Sequence, residues 1–378
     1  MRSPFPSEIS YFDYNATHPP FSELLELSLK EYLTDFYNPS GATRFSLRNQ
    51  GKIESVRKYF SELTGKKESS LIFSSTGTEA NYLLIQNLRD RFPELNEVIV
   101  SPFEHSSMYG ALDDYGFEKK IISTNKSGKI LLSSLETLLQ NSPLPVICLM
   151  AGNETGVLQP VREISEIARS HNSPFFSDLM QAFGKTEVDF DLFDGFSFSS
   201  HKIGGGMGTA ITSVCYDSKN FHLFAGGNQE NGHRAGTENL PSILAFREAS
   251  KLQLEELANK NKKLENYRIR IESSLKEWGC KIIAEDSNRL YNTSFVLLPI
   301  EELDFFLLGM EEKKIIISTG SSCKSRAREA SGSLLAMGYS KEEALRCIRI
   351  STGYFTTEEE VKHLLTSFEE LIEKFRSF

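Results

Sequence analysis

Asp178, Lys202, His105 and Cys323 lie far apart in the chain, yet each carries a group that holds a proton, moves one or attacks as a nucleophile. In Phe175-Phe-Ser-Asp178-Leu-Met-Gln181 a carboxylate ends an apolar run, and in Phe196-Ser-Phe-Ser-Ser-His201-Lys202 an amine ends another, just before Gly204–Gly206. If both runs are strands of one parallel sheet, their ends meet on one rim. An amine and a carboxylate facing a common space suit an aldehyde cofactor built on a pyridine ring. The amine condenses with the aldehyde, and the carboxylate keeps the ring nitrogen protonated so that the ring accepts electrons. Taken singly, each residue reads better as a solvated lysine or a capping aspartate; together beside a phosphate cradle they do not.

Three further segments fit such a site. Leu71-Ile-Phe-Ser-Ser-Thr-Gly-Thr-Glu-Ala-Asn81 places small and hydroxylic residues between a strand and a helix, where free N–H groups at Gly77 and Thr78 favour a phosphate. By itself it is an ordinary capped helix. His105 in Glu104-His105-Ser106-Ser107 could lie over a ring and carry protons, and Asn153 in Gly152-Asn153-Glu154-Thr155-Gly156 could donate to a phenolate oxygen. Ser318-Thr-Gly-Ser-Ser-Cys323-Lys-Ser-Arg-Ala-Arg328 sets one cysteine among Lys324, Arg326 and Arg328, cations that favour the nucleophilic thiolate. Cys148, Cys215 and Cys347 lie in apolar stretches and read as structural, while Cys280 has no evident role.

The elements that must position these groups follow from periodicity. Short apolar runs at Leu71–Phe73, Glu97–Val100 and Val146–Met150 predict strands, and Lys52–Leu63 and Thr78–Leu88 predict helices, an alternation that indicates a mainly parallel α/β sheet. A long helical pattern runs from Leu240 to Lys276 with a break expected near Gly279. Strand-like Tyr291–Leu298 and Ile315–Ser318, a helix around Leu303–Met310 and a final helix from Thr357 then predict a compact α+β lobe. With 378 residues, 39% of them hydrophobic, two lobes are expected.

Lys and Arg number 42 against 51 Asp and Glu, a net charge of -9, which speaks against direct nucleic-acid or anionic-membrane binding. No membrane-spanning run or leader pattern is seen, so a cytoplasmic location is expected. The five scattered cysteines include no CxxC pair, and no metal site is expected.

Read together, these segments resemble the cysteine desulfurase family, a branch of the class V aminotransferases with the type I pyridoxal-phosphate fold. Tyr11-Phe-Asp-Tyr-Asn-Ala-Thr17, Asn38-Pro-Ser40, Gly77-Thr-Glu-Ala-Asn81, Asn153-Glu-Thr-Gly156, Ser199-Ser-His-Lys202, Gly226-Gly-Asn-Gln-Glu230, Arg234-Ala-Gly-Thr-Glu-Asn239 and Arg349-Ile-Ser351 are similar to the family's motifs and follow its order across nearly the whole chain.

The resemblance implies an α/β large domain over residues 15–256 with a mainly parallel sheet, and a smaller α+β domain from 1–14 and 257–378 that carries the Cys323 loop. It implies pyridoxal 5'-phosphate as cofactor, with Lys202 as its lysine, Asp178 at the ring nitrogen, Gln181 and Asn153 near the phenolate oxygen, His105 over the ring, and Gly77, Thr78, Ser199 and His201 at the phosphate. Thr237 resembles the position that reaches the phosphate of the other subunit, which implies a homodimer. Arg349, with Asn38, resembles the clamp for the carboxylate of L-cysteine, and Cys323 the sulfur acceptor.

The implied activity converts L-cysteine to L-alanine and supplies sulfur to an acceptor such as an iron–sulfur scaffold or a tRNA-thiolation enzyme. The long segment after Cys323 is similar to the longer-loop group. A selenocysteine lyase, a class V aminotransferase and a non-catalytic binding homologue are the alternatives. Gly152, Thr43, Phe176, Gly204, Gly206, Met207 and Tyr354 depart from the family pattern without removing a group assigned to the chemistry.

Overall fold

In the computed structural model, which describes residues 8–140, 142–214, 221–319 and 329–376, the apolar runs become strands and the glycine- and hydroxyl-rich stretches become the turns at their ends. A short first strand, β1 (Ser10–Tyr11), stands apart from the main sheet. That sheet contains β2 (Leu71–Ser74), β3 (Glu97–Val100), β4 (Glu118–Ile121), β5 (Val146–Ile147), β6 (Phe175–Asp178), β7 (Gly195–Ser199) and β8 (Ala210–Ser213), in the order β2-β8-β7-β6-β5-β3-β4.

Strands β3 to β7 run parallel, and β8 is antiparallel to both neighbours. All residues of β2, β6, β7 and β8 are buried, as in strands covered on both faces. Because β8 reverses between them, β2 points the same way as β7. The carboxyl ends of β2, β3, β5, β6 and β7 therefore share one rim.

The smaller α+β lobe is an antiparallel sheet in the order β12-β13-β10-β9, from β9 (Lys281–Ile282), β10 (Thr293–Leu297), β12 (Ser318–Thr319) and β13 (Cys347–Ser351). Its neighbour β11 (Ile315–Ile316) instead pairs in parallel with β1. Alternation along β13 sends Ile348 and Ile350 into a second core with Phe12, Leu364 and Phe368, while Cys347 joins the main core. The two-residue period puts Arg349 on the Cys347 face, toward the main sheet.

The helices expected at Lys52–Leu63 and Thr78–Leu88 lie within Arg44–Thr64 and Gly77–Arg91, and the last helix is Glu358–Arg376. One expectation is corrected. The long pattern from Leu240 is two helices, Leu240–Glu255 and Leu257–Glu277, separated at Glu256. The first packs Phe246 and Ala249 into the main core and the second packs Ile271 and Leu275 into the other, so two cores claim one amphipathic stretch. Likewise Ile315–Ser318 divides between β11 and β12, which pair with different strands.

Candidate active site

The rim encloses a cavity of about 340 Å³. Gly77 and Thr78 reach it from the turn after β2, His105 from the turn after β3, Asn153 after β5, Asp178 and Gln181 after β6, and His201 and Lys202 after β7; Arg349 enters from β13. Gly77 opens the helix Gly77–Arg91, and the Thr76 side chain caps it by accepting from the Glu79 N–H. That leaves the first turn's remaining N–H groups at the cavity edge, the arrangement that favours a phosphate.

Asp178 is buried. Its Oδ1 accepts from the Met180 N–H at 2.8 Å and its Oδ2 from Asn81 Nδ2 at 2.9 Å. The same Asn81 nitrogen donates to Ser107 Oγ at 2.9 Å, and Ser107 Oγ lies 2.8 Å from His105 Nδ1. Since the Ser107 N–H also donates to that Nδ1, the neutral imidazole carries its proton on Nε2. Carboxylate and imidazole are thus oriented by one chain of hydrogen bonds. Asn81 and Ser107 stand in the quoted motif segments, but neither residue type announces such a role by itself.

The Lys202 Nζ donates to the backbone oxygens of Asn15 at 2.8 Å and Ala16 at 2.7 Å. Burial, and after it Arg349, bring its pKa down to about 8 against the opposing pull of Asp178 and Asp13. His201 is brought down to about 4, by burial first and then by Lys202 and Lys185, and is neutral at pH 7. The turn after Lys202 explains one departure from the family pattern. Gly204 has φ +88°, and a side-chain carbon there would meet Phe21 at 2.7 Å and His18 at 2.8 Å.

Arg349 is 3% exposed. Its Nη1 donates to the Asn153 carbonyl at 2.9 Å and its Nη2 to Asp13 Oδ1 at 2.7 Å, while Nε has no partner in the structure. Asn15 ties the lobes together: its N–H donates to Ser351 Oγ at 3.0 Å, its Nδ2 to Thr293 Oγ1 at 2.9 Å, and its backbone oxygen accepts from Gln181 Nε2 at 2.8 Å. Asp13 and Asn15 belong to the quoted Tyr11–Thr17 motif, but a motif alone does not reveal which of its members bridge two lobes.

Not every expected residue lines the cavity of a single chain. Asn38 is exposed, its side chain accepts from the Ser40 N–H, and it is not among the residues that line the cavity. Thr237 is exposed, and the helix after it is capped by Asn239 rather than by Thr237. Ser199 is buried at the end of β7, with its hydroxyl unpartnered. Cys323, with Lys324, Arg326 and Arg328, lies outside the described residues, as does Cys215. After that segment, the Ser331 hydroxyl donates to the buried Glu154 carboxyl, which burial pushes up to about 7 against the pull of Ser331, Arg349 and Ser333.

Among the described residues, no His, Cys, Asp and Glu cluster could hold a metal ion, and no helix is long and apolar enough to cross a membrane.

Residues 10–364 match the aminotransferase class-V family. The chain is 31% identical to a cysteine desulfurase of Trichormus azollae, covering 98% of this chain and 94% of that one. It is 30% identical to a cysteine desulfurase IscS of Methanosarcina thermophila, covering 97% and 93%. Among solved structures, a NifS-like protein from Rickettsia africae superposes with a TM-score of 0.86 at 30% identity, over 97% of this chain and 99% of that one. Fold, ordered motifs and sequence likeness agree over the same span, and the chain belongs to the class-V aminotransferases, within the cysteine desulfurase family.

Proposed function

We propose that this protein is a pyridoxal 5'-phosphate enzyme that takes sulfur from L-cysteine, releases L-alanine and holds the sulfur as a persulfide on Cys323 for an acceptor protein, such as an iron–sulfur scaffold or a tRNA-thiolation enzyme. The observation that carries the reading is the meeting of Lys202 and Asp178 in one cavity beside the Gly77 helix terminus. The residues fit the cofactor: free N–H groups, the neutral His201 and the orphaned Ser199 hydroxyl suit its phosphate, and Asp178 suits its ring nitrogen.

When bound, the cofactor offers an aldehyde to the substrate amine and accepts electrons from the bonds that break. Asp178 keeps the ring nitrogen protonated, and Asn153 and Gln181 donate to the phenolate oxygen. Arg349 holds the substrate carboxylate. Lys202 and His105 carry protons, with His105 presenting Nε2–H. The Cys323 thiolate attacks the substrate sulfur, so that an S–S bond forms as the carbon–sulfur bond breaks, and protonation at carbon leaves L-alanine. Measuring alanine and protein-bound persulfide after adding L-cysteine tests the proposal. Alanine without persulfide, or neither, overturns it.

A pH dependence follows. Lys202 reacts with the aldehyde only as the free amine, whose fraction rises as pH climbs toward about 8. Cofactor uptake by the apoprotein should therefore quicken about tenfold per pH unit below 8 and level off above it. Uptake still accelerating at pH 10 would mean an unshifted lysine.

The protein works, in this reading, as a cytoplasmic homodimer in which Thr237 reaches the partner's phosphate site. The exposed apolar side chains Leu27, Leu33, Phe36 and Met207 support a covered face, and Leu25, on the helix Ser22–Thr34 with Leu27 and Leu33, lies against Gly206. Because Asn239 already caps the following helix, Thr237→Ala should weaken cofactor retention with little change in Tm. An active monomer in sedimentation would remove Thr237 from the site. The domain limits we propose, 15–256 against 1–14 with 257–378, are supported by the break at Glu256.

A further inference from the structure

Lys185 follows Gln181 by four residues and lines a second, small cavity together with Lys202, which also lines the main one, and Lys260. Its Nζ donates to two amide oxygens, Gln181 Oε1 and, at 2.9 Å, Asn15 Oδ1. Neither acceptor is a carboxylate. Burial, with Lys202, Arg349 and Lys260 nearby and Asp13 opposing them, pushes the ammonium well below its ordinary range. In either protonation state the nitrogen keeps at least two N–H donors, enough for the two oxygens it faces.

This contact decides which end of Gln181 meets the cavity. A side-chain amide presents a donor at one end and an acceptor at the other, and its neighbours choose between them. Lys185 donates to Oε1, while the Asn15 carbonyl accepts from Nε2 at 2.8 Å. Turning the amide over would set Oε1 against the Asn15 carbonyl and remove the acceptor from Lys185. Gln181 lines the main cavity and is 5% exposed, so its second Nε2 hydrogen is a fixed donor at that wall. The Asn15 carbonyl also receives Lys202 Nζ, so Lys185 steadies the peptide that seats the reacting amine.

We propose that Lys185 is a positioning residue, which locks Gln181 as a hydrogen-bond donor to the phenolate oxygen of the bound cofactor and so sets the pH at which the cofactor's link to Lys202 loses its proton. The inference rests on the pyridoxal-phosphate reading above. A donor on the phenolate draws its charge away from that link, and weakening the donor lets the link hold its proton to higher pH.

The test is a pH titration of the absorbance of cofactor-loaded protein, with Tm measured alongside, for wild type, Lys185→Met, Gln181→Ala and the double variant. Lys185→Met should raise the midpoint by about one pH unit, and adding Gln181→Ala should raise it no further, because both changes remove one contact. Lys185→Gln, which keeps a donor, should restore the midpoint even where Lys185→Met proves too unstable to load. Fully additive shifts, or a fall in Tm with the midpoint unchanged in both Lys185 variants, overturn the proposal. Wild-type protein that takes up no cofactor overturns the reading beneath it and the proposal together.

Discussion

With serine in place of Cys323, the protein should still take up cofactor and answer L-cysteine with a change in absorbance, yet form no persulfide and release alanine at least about a thousandfold more slowly. A hydroxyl keeps the size of the thiol but is scarcely ionised at neutral pH. In our reading, Lys324, Arg326 and Arg328, all within five residues of Cys323 in the sequence, favour its thiolate. The described cysteines lie in surroundings that disfavour a thiolate. Cys148, Cys280 and Cys347 are all buried, and burial pushes the Cys148 thiol well above its ordinary range and the Cys347 thiol up to about 12. Single replacements there should leave persulfide formation intact. Mass spectrometry that finds the added sulfur on Cys280, or a Cys323→Ser protein making alanine at the wild-type rate, would remove Cys323 from its role and leave the cofactor site standing.

Arg349→Ala should lower kcat/KM for L-cysteine by roughly thirty-fold to several-thousand-fold, the equivalent of about 2–5 kcal/mol for a buried charge pair that loses one member. The guanidinium is pinned on one side by Asp13 and the Asn153 carbonyl, which fixes its plane and leaves Nε without a protein partner. A planar fork held this way suits a carboxylate better than a point charge does, so Arg349→Lys should recover only part of the loss. Asp13 loses its partner in either variant, so a fall in Tm is expected too. Cofactor affinity is the discriminating measurement: if it collapses while kcat/KM of the loaded fraction is unchanged, Arg349 supports the fold rather than the substrate.

Strand ends were legible because apolar runs that stop at Asp178 or shortly before Lys202 carry their own direction, and a parallel sheet gathers such ends on one rim. The elements that divide, the helix pair at Glu256 and the strands β11 and β12, were not legible. Local periodicity cannot say which of two cores a segment will join. The same limit hid Asn15 and Lys185. An asparagine in a turn and a lysine after a glycine read as surface residues, and only tertiary partners from residues 292, 293 and 351 make Asn15 a bridge. Thr237 shows the converse: a threonine just before an apolar helical run is also a plausible cap, and the structure gives that work to Asn239.

The parallel pairing of β1 with β11 has a consequence in time. Ser10 and Tyr11 leave the ribosome about three hundred residues before their partners, Ile315 and Ile316, and nearby Asp13 waits for Arg349. Chains fold from the amino end as they emerge, so the main sheet can close before the segment that seats Lys202 has all of its partners. Such distant closures are slow, because the intervening chain must be ordered before the contact is rewarded. The cofactor pocket is therefore finished last, and an interruption of synthesis before β13 would leave a sheet with its rim in place and the carbonyl seat of Lys202 held by Gln181 and Lys185 but not by Ser351.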